Sequence, residues 1–402
     1  MSSRNRVFAI VNVPICAAIL LTGAWFAGAG DLNPPAGAVA PTHKTLTEVE
    51  PRTAINATNT AGDADSLYKI TAPGSYYITG NITGVASKHG IEIAASGVTL
   101  DLNGFDLVGV PAMGAFDGVS ATVPNLTNIA VVNGSVRSWG GGGVDLGPLS
   151  TNCRVAEVLA SGNTVDGIRT GSDCTITNCS ASSNTADGVT TGDGCTVSNC
   201  SVYQNAGTGI FTGAGCTVSN CSAYQNTGDG IRTSISSTVS SCSAHRNTGT
   251  GISVSTSSTI ASCSAVQNTG SGISVSTGST VADCTARINT LDGIVCNIAC
   301  VIRGNTCRDN GFNGDGAGIH ATGADNRIEG NNCTTADRGI DVDFAGNIIV
   351  KNTCSGNTTN WDIAIGNALA PIVSATTNAA AVAGDTYAGS LGSTDPNANF
   401  TY

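Results

Sequence analysis

Nine Gly-Ile or Gly-Val pairs follow one another at nearly constant spacing between residues 167 and 340 of this chain. Successive glycines lie 21 residues apart, except for one longer step of 25 residues before Gly318. The glycines of the nine pairs are Gly167, Gly188, Gly209, Gly230, Gly251, Gly272, Gly293, Gly318 and Gly339. A fixed period of this length is typical of a solenoid, in which each repeat buries its apolar side against its neighbours.

The residues within one repeat favour strands over helices. In the repeat 216–231 the apolar residues form short runs and follow no 3.6-residue stripe. Threonine, valine and isoleucine favour strands, and the segment Asn-Thr-Gly-Asp-Gly is typical of a turn. The sequence therefore predicts an all-β solenoid, with two or three short strands in each of about twelve coils of roughly 21 residues.

One polar position is almost invariant between repeats. It holds the residues Asn163, Asn184, Asn205, Asn226, Asn247, Asn268, Asn289 and Asn310. In a parallel sheet these side chains would stack about 4.8 Å apart. We expect each asparagine to adopt the left-handed conformation at a bend and to hydrogen-bond its neighbours in the adjacent coils.

Cysteines occupy two further positions of the repeat. The two columns run Cys153, Cys174, Cys195, Cys216, Ser237, Ser258, Ser279, Cys300 and Val158, Cys179, Cys200, Cys221, Cys242, Cys263, Cys284, Asn305. Serine, valine or asparagine replaces cysteine within these columns, which an obligatory disulfide would not tolerate. We therefore predict buried, mostly reduced thiols that pack as small apolar groups. The spacing is also unlike that of zinc ligands.

At this point the chain resembles a known family. The units 302–307 and 349–354 follow an Ile/Val-x-x-Asn-x-Cys pattern that resembles the right-handed parallel β-helix of the pectin-lyase-like superfamily. The resemblance spans roughly residues 66 to 365 and implies a right-handed coil. It does not imply an activity, since this fold includes lyases, hydrolases, epimerases and non-enzymes. The Gly-His-Gly and Arg-Ile-Lys elements of polygalacturonase-like enzymes are absent from the sequence.

The flanking segments suggest export. Arg4 and Arg6 precede an apolar run over residues 7–26, which predicts a signal peptide at 1–29, with an uncleaved membrane anchor as the alternative. A linker or N-terminal arm at 30–65, the β-helix at 66–365 and a C-terminal cap or tail at 366–402 would follow. We expect a bacterial protein that is secreted or held in the cell envelope, with no membrane insertion after cleavage.

The charge of the chain limits its partners. The formal net charge is −11, and the chain has only four lysines. Nucleic acids and anionic lipids are therefore poor partners. A polysaccharide is the partner that the sequence favours.

Ionisable residues are densest in the C-terminal third, which also contains the only four-residue insertion of the repeat array, near residues 311–317. Insertions in solenoids form loops on one side, often the binding side. An acid/base pair or a calcium ion could use this region, although no cofactor is required, and an ordinary solvated surface is the alternative. The predicted catalytic residues are His320, Asp341 and Asp343, and the predicted substrate-binding residues are Arg303, Arg308 and Arg338.

Two weaker candidates lie elsewhere. Aspartates that precede the repeat glycines could stack into a calcium site, although plain Asp-Gly turns explain them better. They are Asp117, Asp166, Asp187, Asp229 and Asp292. The second candidate is Lys88-His89 beside Asp117. Aromatic platforms for sugars are scarce in the array, with Tyr203, Phe211 and Tyr224 as the main ones.

These observations favour a secreted structural or carbohydrate-binding protein without an identifiable catalytic motif. A polysaccharide lyase or glycoside hydrolase with its site in the C-terminal coils is one alternative. An adhesin-like surface protein is another. The sequence does not decide whether the protein is an enzyme, but it favours a protein without catalytic activity.

Overall fold

The computed structural model describes residues 50–311, 314–375, 377, 381–384 and 391–402. These residues form strands, turns and bends, and no helix occurs among them. None of the described segments is therefore a helix long and apolar enough to cross a membrane. The predicted signal peptide at 1–29 and the first part of the predicted arm lie outside the described residues.

One of the two sheets carries the Gly-Ile and Gly-Val pairs, and we call it the Gly-Ile sheet. It has 14 parallel strands, each from a different turn of the solenoid. Its strands are Ser66–Ile70, His89–Ile93, Val119–Ser120, Val144–Asp145, Ile168–Arg169, Val189–Thr191, Ile210–Thr212, Ile231–Thr233, Ile252–Val254, Ile273–Val275, Ile294–Cys296, Ala317–Ala321, Arg338–Val342 and Thr359–Ile363.

The second sheet, which we call the large sheet, has 28 strands, and most turns contribute two of them. Its strands are Thr53–Ala54, Gly74–Tyr77, Ile82–Thr83, Val98–Asp101, Asp106–Val108, Ala130–Arg137, Arg154–Ser161, Thr175–Thr177, Ser180–Ser182, Thr196–Ser198, Ser201–Tyr203, Thr217–Ser219, Ser222–Tyr224, Thr238–Ser240, Ser243–His245, Thr259–Ala261, Ser264–Val266, Thr280–Ala282, Thr285–Arg287, Val301–Arg303, Thr306–Arg308, Arg327–Glu329, Asn332–Thr334, Ile348–Val350, Thr353–Ser355, Ala368–Leu369, Ile372–Ser374 and Asn399–Thr401.

Strand pairing follows the sequence period. Ile231 pairs in parallel with Ile210 on one side and with Ile252 on the other, so each strand lies on the strand one repeat away. The predicted all-β parallel solenoid is confirmed. The described chain makes about 15 turns rather than the twelve that we expected. Parallel pairing extends beyond the expected bounds of the solenoid at both ends.

The isoleucine or valine of each Gly-Ile pair points into the core. Every member of this column is fully buried: Ile168, Val189, Ile210, Ile231, Ile252, Ile273, Ile294, Ile319 and Ile340. Two more inward columns, such as Val218 and Ala223 of one turn, come from the large sheet and are equally buried. Three apolar columns thus meet along the axis, and burying them stabilises the stack.

The asparagine column forms a continuous ladder of hydrogen bonds inside the bend. Nδ2 of Asn226 donates to Oδ1 of Asn247 at 3.0 Å, and the backbone N–H of Asn226 donates to the same oxygen at 2.9 Å. Nδ2 of Asn226 also donates to the carbonyl of Val202 in the preceding turn. The repeat glycine packs directly against this ladder, since a Cβ on Gly230 would lie 2.6 Å from Nδ2 of Asn247.

The left-handed conformation falls one residue earlier than we expected. Asn226 has no positive φ, whereas the preceding Gln225 has a φ of 53°. The same holds before the cysteine columns, where Asn220 has a φ of 53° and Gly215 one of 65°. Each bend therefore uses two residues. The first turns the backbone, and the second places its side chain inside to receive an N–H.

All cysteines of the described residues are buried, and none forms a disulfide, as the columns predicted. They have the same role as the asparagines. Sγ of Cys195 accepts the backbone N–H of Cys174 at 3.2 Å, and Oγ of Ser237 accepts that of Cys216 at 3.2 Å. The exchange of cysteine for serine along a column therefore preserves a hydrogen bond.

Both ends of the parallel stacking extend beyond the expected bounds of 66–365. Thr53–Ala54, inside the segment 30–65 that we assigned to an arm, already pairs with Tyr76 and Tyr77. At the other end, strand Asn399–Thr401 pairs with Thr353–Ser355, and Asn399 is fully buried. The final residues of the chain therefore complete the last described turn.

We predict that Ile231→Asp destabilises the solenoid by at least about 3 kcal/mol, because it places an unpaired carboxylate in the apolar core. Thermal or urea unfolding followed by circular dichroism would measure the change. Thr238→Asp, at an exposed position of the next turn, is the control and should leave the stability nearly unchanged. Equal stability of the two variants would mean that the column faces outward.

Candidate functional site

The residue after each inward isoleucine points outward, and pairing places these residues in one row along the Gly-Ile sheet. We call it the outer row. It runs Lys69, Glu92, Ser120, Asp145, Arg169, Thr190, Phe211, Arg232, Ser253, Ser274, Val295, His320, Asp341 and Asp362. His320 and Asp341 are adjacent members of this row, as their equivalent positions in the repeat predicted.

His320 lies among three carboxylates at the C-terminal end of the outer row. Its Nε2 lies 3.1 Å from Oδ2 of Asp343 and 3.8 Å from Oδ2 of Asp341. Its Nδ1 lies 3.5 Å from Oδ2 of Asp292. The structure therefore brings together all three residues that we predicted as catalytic, and adds Asp292.

These carboxylates stabilise the protonated imidazole. The hydrogen bond to Asp292 is the largest cause, and with the charges of Asp292 and Asp341 it raises the pKa of His320 to about 9, against the opposing effect of burial. His320 is therefore a cation at neutral pH. It can donate a proton there, but it is a poor base.

Arg338 connects three successive turns of the solenoid. Its Nη1 lies 2.8 Å from Oδ1 of Asp315 in the insertion loop and 3.0 Å from Oδ2 of Asp341, and its Nε lies 3.1 Å from Oδ2 of Asp362. Burial raises the pKa of Asp341, although His320 and Arg338 oppose this effect. Arg338 is thus the predicted arginine that reaches the cluster, and it holds the insertion against the outer row.

Most of these residues line an open groove of about 470 Å³, and Asp292 lies outside its lining. The aspartates of the group are Asp292, Asp315, Asp341, Asp343 and Asp362, and the cations are His320 and Arg338. Carboxylates thus outnumber cations, so the groove favours neutral or cationic groups over acidic ones. Ligand atoms of His320, Asp341 and Asp343 all lie within 4.8 Å of one another. Since Ca²⁺ takes oxygen ligands and a protonated imidazole binds no metal, only the two carboxylates of this set suit a Ca²⁺ ion.

The two other predicted arginines do not join this cluster. Arg303 and Arg308 lie in strands Val301–Arg303 and Thr306–Arg308 of the large sheet, and both are exposed. Arg308 pairs with Asp309, its neighbour in sequence, at 3.2 Å. Charged residues that are close together in this part of the sequence do not all cluster in space. A turn of 21 residues places neighbouring charged residues on different sheets of the solenoid.

Sequence reasoning missed Asp292 and Asp362 as members of the group. Asp362 lies one period after Asp341, but Asn360-Trp361 stands where other turns have Gly-Ile, so the repeat was not followed that far. Asp292 precedes Gly293 and was interpreted as a turn residue. It is that too, because its Oδ1 accepts the backbone N–H of Ala317 at 2.7 Å.

The other aspartates before repeat glycines make the same turn contact. Each places Oδ1 within 2.6–3.0 Å of a backbone N–H in the following turn. They are Asp117, Asp166, Asp187 and Asp229. This contact agrees with the Asp-Gly turn interpretation, since the carboxylates hold the backbone of the next coil.

The N-terminal coils carry two smaller polar groups. Nδ1 of His89 accepts the backbone N–H of Asp117 at 2.9 Å, which fixes the imidazole, while Lys88 donates to backbone carbonyls. Lys69 bridges Asp63 at 2.7 Å and the buried Glu92 at 2.9 Å. In both groups the side chains tie neighbouring segments together.

The aromatic candidates lie on two different walls. Tyr203, Tyr224 and His245 are in register on the large sheet, and the rings of Tyr224 and His245 are 5.4 Å apart, so they pack against each other. Phe211 lies on the outer row, with the guanidinium carbon of Arg232 5.9 Å from its ring centroid. This pair lines a depression of about 320 Å³ together with Thr233, Ser234, Ser253, Val254, Ser255 and Ser276.

A larger cavity of about 780 Å³ lies between the loop 108–114 and the residues 137–140 that end a strand of the large sheet. Apolar side chains and glycine backbone line it, and Arg137 is its only ionisable lining residue. Arg137 is itself paired with Asp106 at 2.6 Å. The cavity therefore lacks the convergent polar groups that a catalytic site needs.

The sequence matches the family described as the right-handed β-helix region over residues 70–217 and 151–291. These overlapping matches cover more than half of the chain, and the chain belongs to this family. Its right-handed parallel β-helix agrees with the resemblance to the pectin-lyase-like superfamily. No curated protein sequence matches the chain significantly.

The chain is similar to several solved structures. The A-module of the mannuronan C-5 epimerase AlgE6 of Azotobacter vinelandii is 14% identical, with a TM-score of 0.51 over 75% of this chain and 88% of that one. The A-module of AlgE4 from the same organism is 13% identical, with a TM-score of 0.49 over 79% and 87%. The Dettilon tailspike protein is 14% identical, with a TM-score of 0.46 over 64% and 60%. At such identities the likeness concerns the fold alone.

We predict that the protonated His320 stabilises the fold up to mildly alkaline pH. Its pKa is raised from an ordinary 6.5 to about 9, so this stabilisation is complete below about pH 6.5 and is lost as the pH rises through about 9. The stability difference between wild type and His320→Gln should therefore shrink over this interval in urea unfolding. An imidazole titration near its ordinary pKa by NMR would contradict the carboxylate contacts.

Proposed function

We propose that this protein is a non-catalytic, carbohydrate-binding β-helix that binds an extended polysaccharide along the outer row of the Gly-Ile sheet. The observation that carries the proposal is the profile of this row between Phe211 and His320. Phe211 and Arg232 lie at one end of this stretch and His320 lies at the other, each end beside a depression. The residues between them are smaller, and we call them the floor of this surface.

The floor of this surface consists of Ser253, Ser274 and Val295, which are half-buried and lie in successive strands. At the C-terminal end, the half-exposed carboxylates of Asp343 and Asp362 can accept hydrogen bonds from sugar hydroxyls. Small hydroxyls let a flat chain approach the sheet closely, and carboxylates orient its hydroxyl groups. This surface offers little apolar area that a protein partner could bury.

The outer row also runs along the axis of the solenoid, as a binding site for an extended polymer requires. Its members repeat about every 4.8 Å along the axis, so several sugar units could contact successive turns of the same rigid wall. The proposal places the protein outside the cytoplasm, in line with the signal peptide that the sequence predicts at 1–29.

Ser274→Trp should weaken polysaccharide binding at least about tenfold, since a bulky ring on the floor would block close approach. An aromatic side chain is compatible with the fold in the outer row, since Phe211 already occupies this row two turns before Ser253. Affinity electrophoresis against neutral, acidic and amino-sugar polysaccharides would identify the ligand, and isothermal titration would then measure the loss.

Ser243→Trp is the matched control, because Ser243 is exposed on the large sheet. It should leave binding unchanged. If the wild-type protein binds no polysaccharide of the panel, or if both tryptophan variants bind like wild type, the proposal is wrong.

A polysaccharide hydrolase or lyase with its site at His320 is the second candidate. The observation in its favour is the contact of the protonated His320 with Asp343 at 3.1 Å within an open groove. In this candidate His320 donates a proton to the departing glycosidic oxygen, and Asp343 acts as the base or nucleophile.

For this candidate, His320→Ala combined with Asp341→Ala should abolish any cleavage of the polysaccharide that wild type binds. Reducing-end and unsaturated-product assays distinguish a hydrolase from a lyase. Retention of cleavage in the double variant, with its fold intact by circular dichroism, would exclude this site.

A further inference from the structure

We propose that the depression beside Phe211 binds the carboxylate of an acidic sugar against Arg232, and that the ligand carries acidic sugars spaced among neutral ones. This inference rests on the proposed polysaccharide-binding function and names the class of ligand.

Arg232 is an unpaired cation in an acidic protein. No carboxylate lies within ion-pair distance of its guanidinium among the described residues, and its neighbours on the outer row, Phe211 and Ser253, carry no charge. Arg338 on the same sheet, by contrast, contacts three carboxylates. Since the chain has a net charge of −11, a guanidinium without an acidic partner is available for an anionic ligand.

The surroundings of Arg232 suit a sugar acid in particular. The half-buried ring of Phe211 offers an apolar face beside the guanidinium, 5.9 Å from ring centroid to guanidinium carbon. The hydroxyls of Ser253, Ser255 and Ser276 line the same depression and make no hydrogen bond to other described residues. A carboxylate can pair with the guanidinium in a bidentate manner, while the sugar packs on the ring and its hydroxyls meet the serines.

The far end of the same row excludes a uniformly acidic polymer. Four steps of about 4.8 Å separate Arg232 from His320, or about 19 Å along the axis. There, Asp343 and Asp362 present half-exposed carboxylates, and carboxylates outnumber cations. A second acidic sugar at that end would be repelled, whereas a neutral sugar could donate hydrogen bonds.

The test uses three purified probes. They are a linear polysaccharide with one glucuronate in each repeat of otherwise neutral sugars, the same polymer after reduction of its carboxyls to hydroxymethyl groups, and a polyuronate. We expect wild type to bind the first probe most tightly. Arg232→Gln should weaken that binding about tenfold and leave binding of the reduced polymer unchanged.

Arg246→Gln is the control, because Arg246 lies outside the Gly-Ile sheet, where its Nε contacts Gln267 at 3.1 Å. It should bind all probes like wild type. Circular dichroism melts confirm that both variants fold, and raising the salt concentration should weaken only the carboxylate-dependent part of the binding.

Four outcomes would overturn the inference. Equal binding of the native and reduced polymers by wild type, or an equal loss of both in Arg232→Gln, would show that no carboxylate is recognised while leaving the proposed polysaccharide binding intact. Preference for the polyuronate would contradict the spacing of acidic sugars. Binding of none of the probes, nor of any polysaccharide of the wider panel, would overturn the proposed function and this inference together.

Discussion

The structure depends on the hydrogen bonds that side chains inside the bends make to the backbone of neighbouring turns. At most bends a buried Asn, Cys or Ser accepts a backbone N–H from the turn before it, as Asn247 does from Asn226 at 2.9 Å. A buried N–H without a partner would cost roughly 1–3 kcal/mol, and such a loss would recur at every bend. The ladder therefore fixes the register of successive turns. It also explains the repeat glycine, because only a residue without Cβ fits against the stacked amides.

This requirement explains which parts of the fold could be predicted from the sequence. The inward isoleucine column and the columns of asparagine and cysteine recur at a fixed spacing, so fold class, pairing register and reduced thiols all followed from them. Cys284 and Asn305 can follow each other in one column because thiol and amide oxygen receive the same kind of N–H. The number of turns did not follow. Asn399 continues the column of Asn352 after a gap of 47 residues, and no local periodicity reveals such a distant partner.

The sequence predicted the members of the candidate site that occupy equivalent positions of neighbouring repeats. It did not predict which sheet of the solenoid carries each of the other charged residues. His320 and Asp341 occupy equivalent positions of neighbouring repeats, so their adjacency followed from the spacing alone. Arg303 and Arg308 are as near in sequence but face away, because a coil turns through several bends within one repeat. Asp292 was the hardest member to foresee. One of its oxygens holds the backbone of Ala317 while the other faces His320, and a sequence pattern shows only the first role.

In a β-helix of this kind, the residues that determine stability differ from the residues that could recognise a ligand. The bend ladders and inward columns determine the fold, so an outward residue can change at one turn without disturbing the next. The outer row therefore acts as an ordered series of independent positions. Phe211 and Arg232 lie at one end, His320 and its aspartates lie at the other, and Ser253, Ser274 and Val295 lie between them. The insertion near 311–317 departs from this plan, and Arg338 contacts its Asp315 together with Asp341. Because the spacing between positions is set by the backbone, specificity for a polymer must lie in the order of side chains along the axis. The separation of the unpaired arginine from the carboxylate-rich end is the clearest such order in this chain.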